Sequence, residues 1–156
     1  MLEDTLKWRS TYKPEDIRWD EIVVEGETGK LYRASVHDRE GRIVLVLRPG
    51  MQMRHLVYML ENAMLSLPHG QEQMSWLIDF TEWSFRNNSL KFMLDKKTIQ
   101  KVKFVYPNNK DSVELMKCYF DEENLPIKFG GKGILNYNHE EFSILMAQAT
   151  LSSSVR

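Results

Sequence analysis

The sequence predicts one α/β domain in which a mostly parallel sheet is flanked by helices. Three observations predict it. Short leucine and β-branched runs, of which Arg42-Ile-Val-Leu-Val-Leu-Arg48 is the clearest, alternate along the chain with segments whose apolar residues recur every three or four positions. The chain has 156 residues, 42% hydrophobic and 28% charged, enough for one core and a solvated surface. No internal repeat, low-complexity segment or Pro/Gly/Ser-rich linker divides it.

Taken in order, Trp8 to Glu21 is an amphipathic lead-in, with Pro14 at a first helical position and acids in the turn that follows. Lys30 to Val36 alternates in polarity and predicts a strand, and His37-Asp38-Arg-Glu-Gly41 supplies a turn. Arg42 to Arg48 predicts a strand buried on both faces, stopped by Pro49-Gly50. Met53 to Leu67 predicts a helix, since Leu56, Met59, Leu60, Ala63, Met64 and Leu67 share one face, and Pro68 and Gly70 close it. Ser75-Trp-Leu-Ile-Asp79-Phe is a second buried strand ending in an acid, and Trp83 to Ser89 is a polar loop. Val102-Lys-Phe-Val-Tyr106 alternates and predicts a third core strand. Ser112 to Phe120 predicts a helix stopped by Asn124-Leu-Pro126, and Gly130-Gly131 a turn too tight for ordinary side chains. Glu140 to Gln148 predicts a terminal helix. The expected organisation is a single domain over residues 6–148 with a flexible tail over 149–156.

Composition excludes several functions. Lys plus Arg number 21 and Asp plus Glu 22, a net charge of −1, which is wrong for a general nucleic-acid binder. The single cysteine, Cys118, excludes an intrachain disulfide and reads as a small buried hydrophobe. His37, His55, His69 and His139 have no partner at metal-ligand spacing, so they read as surface or helix-face residues, and neither a metal nor a cofactor is expected. No P-loop, nucleophile elbow or dinucleotide fingerprint is present, so no enzyme is expected, and Asp79 reads as a cap or structural acceptor. The N-terminus lacks an apolar signal region, and no window could span a bilayer. A cytoplasmic chain with reversible peripheral membrane contact is expected.

One segment is unusual. Lys91 to Lys103 sets five lysines against one acid, with Phe92, Met93, Leu94 and Ile99 among them. Such a mixture suits a membrane interface or an anionic headgroup beside acyl chains. It suits a solvated loop before a core strand at least as well.

Leu94-Asp-Lys-Lys-Thr98-Ile-Gln-Lys101-Val-Lys-Phe-Val, followed by Glu123-Asn-Leu-Pro126-Ile-Lys-Phe129-Gly-Gly131-Lys, resembles the C-terminal half of a CRAL-TRIO lipid-binding domain. The similarity is closest to the plant phosphatidylinositol-transfer branch. Trp8-Arg9, Tyr12-Lys-Pro14, Gly41 to Gln52 and Ser75-Trp-Leu-Ile-Asp79-Phe-Thr agree with it. The resemblance implies binding of one phospholipid, most specifically phosphatidylinositol, in a pocket floored by the sheet, and its exchange at a transient membrane surface. It implies that Thr98 and Lys101 hold the lipid headgroup, a hydroxyl adding direction to the charge of an ammonium. It makes Phe92, Met93 and Leu94 the remnant of a gate that contacts the membrane.

The departures from that pattern are as informative. Relatives carry a further strand and adjoining helices between the Asp79 strand and Leu94, including a Tyr-Pro-Glu motif whose acid contacts inositol. Here Thr81 to Lys91 fills the gap, leaving the domain short by about 30 residues, one crossover unit. Met74 and Trp76 stand where some relatives use a serine and a threonine for phosphatidylcholine. A shortened sheet predicts an open or collapsed pocket and impaired transfer, since exposing acyl chains costs ~0.8 kcal/mol per methylene. The alternative expectation is a truncated isoform or interaction protein without transfer activity, whose exposed sheet edge takes a protein partner.

Overall fold

Ile43 to Leu47 contains only β-branched residues and leucine, and all five are at most 4% exposed. Alternate residues of a strand point to opposite faces, so this strand is covered on both. Around it the computed structural model of the chain describes residues 2–81, 96–106, 108–134 and 137–153. The elements are α1 (Leu2–Tyr12), a 3-10 turn (Pro14–Asp16), α2 (Trp19–Glu27), β1 (Leu31–His37), β2 (Ile43–Leu47), α3 (Met53–Leu65), β3 (Ser75–Ile78), α4 (Lys96–Lys101), α5 (Lys110–Tyr119), a 3-10 turn (Ile127–Phe129) and α6 (His139–Ser153).

The sheet order is β1-β2-β3. β1 and β2 are antiparallel, with Leu31 opposite Leu47 and His37 opposite Ile43, and a register shift between Arg33 and His37. β2 and β3 are parallel, with Val44 opposite Ser75 and Leu47 opposite Ile78. The α/β class and flanking helices agree with the sequence reading. The mostly parallel sheet does not, because one pairing of each kind is present among the described residues. The hairpin is the cause: the turn at 38–41 is too short for any crossover, and only the α3 connection is long enough to bring a strand back parallel.

The helices α2, α3 and α6 meet around Trp19, which is 6% exposed. Its ring lies 5.8 Å from that of Tyr58 on α3 and 5.6 Å from Phe142 on α6, the latter edge-on. Gly26 is required on α2 because a Cβ there would strike the Trp19 ring. His55, on the inner face of α3, is 1% exposed, and its pKa is lowered by burial. α1 buries nothing and is tied down instead by Arg9, whose guanidinium donates to both carboxylate oxygens of Glu61 at 2.7 and 2.9 Å.

Three further expectations are corrected. Residues 102–106 form no strand, and Phe104 and Tyr106 are 48% and 65% exposed. Alternating polarity makes a strand only where a partner supplies the ladder, and none of the described residues does so here. Lys96–Lys101 is a helix rather than a loop. Cys118 is exposed, on the outer side of α5, with its thiol donating to the Glu114 carbonyl. The loop expected at Trp83 to Ser89 lies outside the described residues.

The β1–β2 turn is organised by Asp38, whose side chain is fully buried. Its Oδ1 accepts from the backbone N–H groups of Glu40 and Arg42 at 3.0 and 2.9 Å. Its Oδ2 accepts from Arg42 Nε and from the Ser75 hydroxyl, both at 2.6 Å. One carboxylate therefore closes the hairpin and anchors the first residue of β3. Asp38→Asn leaves Arg42 facing a neutral group, and breaking a buried pair costs roughly 3 kcal/mol. Ser75→Ala removes one of the four bonds and costs about 1.5 kcal/mol. Urea denaturation of the two variants should give that order.

Candidate functional site

Because β2 and β3 are parallel, their carboxyl ends reach the same edge of the sheet, and antiparallel β1 begins there. Crevices outside the carboxyl ends of parallel strands are the usual ligand sites of open α/β sheets. A cleft of about 350 Å³ lies at this edge. Tyr32 and Tyr137 form its aromatic wall, ring centroids 5.0 Å apart, and Arg48 and Lys128 bring positive charge. Ile127 and Ile134 stand on its rim, 66% and 76% exposed.

Local chemistry explains how Lys128 arrives there. Residues 126–133 turn back on themselves. The Ile127 N–H donates to the Gly133 carbonyl at 3.2 Å, and the Gly133 N–H to the Leu125 carbonyl at 2.8 Å. Gly130 has φ of 90°, a region that side chains disfavour, and a Cβ on Gly131 would run into the Leu125 backbone. The double glycine thus permits the reversal, as the sequence predicts. Lys128 then donates to Asp79 Oδ2 at 3.0 Å, while Arg48 approaches the same oxygen at 3.6 Å.

Asp79 is the acceptor that the sequence suggests. It follows β3, its N–H donates to the Leu47 carbonyl at 2.9 Å, and its side chain is 13% exposed. Burial opposes its ionisation, but hydrogen bonds from the Thr81 hydroxyl and N–H and from Lys128 outweigh burial and lower its pKa to about 2. Across the cleft the Tyr137 hydroxyl donates to the Gly26 carbonyl at 2.7 Å, and burial pushes its pKa up to about 12. Tyr137 is therefore a fixed neutral donor and Asp79 a fixed anion at any physiological pH. Neither is poised for proton transfer, which needs a pKa near the working pH.

Thr98 and Lys101 lie three positions apart on α4 and so share a helix face. Thr98 is half-buried and Lys101 exposed, and neither lines the cleft. Phe92, Met93 and Leu94 lie outside the described residues. Arg48, Lys128, Tyr32 and Tyr137 were not singled out by sequence reasoning. Arg48 had a signal, as a cation directly after a doubly buried strand, whereas Lys128 is found only by following the chain reversal. No group of three His, Cys, Asp or Glu side chains that could hold a metal occurs among the described residues, and no described helix is long and apolar enough to cross a membrane.

Comparison with known proteins finds similarity over part of the chain. Residues 26–93 match the family model of the CRAL/TRIO domain. The chain is also 37% identical over 95 residues to a CRAL-TRIO domain-containing protein of Schizosaccharomyces pombe (strain 972), an alignment that takes in 56% of this chain and 9% of that relative. The chain thus corresponds to a small part of that protein's length. The CRAL/TRIO match contains β1, β2, α3 and β3, the hairpin and crossover that build the sheet, together with Asp38, Arg48 and Asp79. Thr98, Lys101 and the 126–133 loop lie beyond it.

The Asp79 cluster predicts an acid-labile contribution to stability. Its folded pKa is depressed, so the stabilisation is complete above the unfolded value near 3.8 and is lost as pH falls towards 2. The shift corresponds to roughly 2 kcal/mol. Unfolding free energies of the natural chain and Asp79→Asn, measured between pH 6 and pH 2, should converge at the acid end.

Proposed function

We propose that this chain is a lipid-binding module of CRAL-TRIO type whose ligand is a phospholipid, most specifically phosphatidylinositol. It works by binding and exchange at a membrane surface, not by making or breaking bonds. The observation that carries this reading is the CRAL/TRIO match over residues 26–93, which falls on the sheet-forming β1–β2–α3–β3 unit. The cleft at the carboxyl edge supports it by combining aromatic and aliphatic walls with Arg48 and Lys128, two cations that share the single carboxylate of Asp79, while Glu27 also lines the cleft. Thr98 and Lys101 are the proposed headgroup ligands, on the shared face of α4 and outside the cleft lining, so the proposed lipid must extend from the cleft to α4. Phe92, Met93 and Leu94 are the proposed membrane contact.

The domain is proposed to be an internally shortened member of the phosphatidylinositol-transfer branch, with impaired transfer. In support, β3 has no strand on its outer side among the described residues, and Trp76 on that strand is 44% exposed. A carrier must enclose acyl chains to move them through water. An interaction protein without transfer activity is the rival, favoured by the same free edge.

Uptake of fluorescent phosphatidylinositol from donor vesicles separates the two. The natural chain should take up the lipid, and Thr98→Ala with Lys101→Ala should weaken uptake about tenfold, the loss of one charge-assisted contact. Delivery to acceptor vesicles should be slower than that of a full-length relative. A chain that melts cooperatively yet takes up no phosphatidylinositol is the interaction protein instead.

A further inference from the structure

A second groove, of about 440 Å³, runs beside β1. Tyr32 and Ala34 line it together with Arg33, Ser35 and His37. These residues belong to both faces of the strand, so the groove follows its edge, and at one end it reaches Ile43 of β2 and Ser66 just past α3. Among the described residues β1 is an end strand of the sheet. The Arg48 N–H donates to the Lys30 carbonyl at 2.6 Å, which makes Lys30 and Arg48 a hydrogen-bonded pair. Alternation along the register makes Tyr32–Val46 another such pair and Arg33–Leu45 a non-bonded one. The Arg33 N–H and carbonyl consequently point away from β2, towards the free edge.

The opposite wall is one face of α6 and its lead-in, through Asn138, Glu141, Phe142 and Leu145, which recur at helical spacing. Leu145 is 40% exposed there. Among the described residues an unpaired strand edge thus lines the same groove as a partly apolar helix. The electrostatics are as specific. Arg33 is half-buried, and among the described residues no hydrogen bond or ion pair engages its guanidinium. Burial alone acts on it and lowers its pKa, in contrast to Arg9, whose pKa is raised by its bond to Glu61. Glu141 stands on the helix wall and makes no ion pair with Arg33, so an incoming carboxylate is drawn to the β1 side.

We propose that this groove binds an extended peptide by strand addition to β1, with a carboxylate of the peptide paired to Arg33. The backbone edge supplies the ladder, the exposed Leu145 receives an apolar side chain of the peptide, and Arg33 selects for acid. This groove adjoins the cleft at the carboxyl edge, since the Tyr32 and Tyr137 rings line both, but its strand edge and Arg33 lie outside that cleft.

The test is fluorescence polarisation with labelled acetyl-Thr-Val-Glu-Val-Thr-amide, the same peptide with Gln for Glu, and two versions N-methylated on alternate residues. One of the methylated versions lacks every donor facing β1. The acidic peptide should bind about tenfold tighter than the Gln peptide. One methylated version should lose binding while the other keeps it. Arg33→Gln, with its folding checked by a thermal melt, should abolish the preference for acid. Equal binding of the acidic and Gln peptides overturns the proposal, as does full binding by both methylated versions. Displacement of the peptide by millimolar acetate or inorganic phosphate makes this a small-anion site and overturns strand addition. A concentration-dependent dimer in sedimentation that excludes the peptide makes a second copy the occupant and overturns it as well. The peptide variants keep the proposal falsifiable should Arg33→Gln fail to fold.

Discussion

The buried carboxylate of Asp38 is the contact on which the sheet depends. Two of its four hydrogen bonds shape the turn that makes β1 and β2 a hairpin, and one reaches forward to Ser75, the residue at which β3 starts. An antiparallel pairing and a parallel one are thus indexed to the same side chain. A slip of one residue in either would turn β2, buried on both faces, out of register with its neighbours. Arg42 neutralises the carboxylate from within the turn, so the charge is tolerated where water does not reach.

The far end of the β2–β3 ladder is closed by a second aspartate under different conditions. Asp79 lies near the surface and serves two cations, one from the end of β2 and one carried in by a distant loop. Lys128 reaches it only because Gly130 and Gly131 permit a backbone reversal that a Cβ would block. At one end of the sheet the carboxylate is a structural fastener. At the other it holds Arg48 and Lys128 at the mouth of a cleft with aromatic walls and isoleucines on its rim. That arrangement presents charge beside apolar surface.

Much of the fold was legible. Periodicity located β1, β2, α3, β3 and α5 to within a few residues, because each carries its signal locally: continuous burial for β2, three- and four-residue spacing for α3. The glycine pair was legible for the same reason. Residues 102–106 were not, since their alternation resembles that of a strand and nothing local records whether a neighbour exists to pair with. Cys118 was misplaced because the face of a helix turned to the core depends on what packs against it. Of the candidate site, Asp79 was legible as an acceptor at a strand end, whereas its partners were not.

The sequence by itself determined the α/β class, the core strand and the hairpin turn, and carried the motifs on which the family resemblance rests. These depend on residue type and spacing over at most a few turns of chain. Only the tertiary structure decided that Arg48 and Lys128 share Asp79, and that the edge of β1 runs beside α6 with Arg33 between them. Those facts join residues 31 to 112 positions apart in the chain, and distances of that kind are set by packing rather than by local preference.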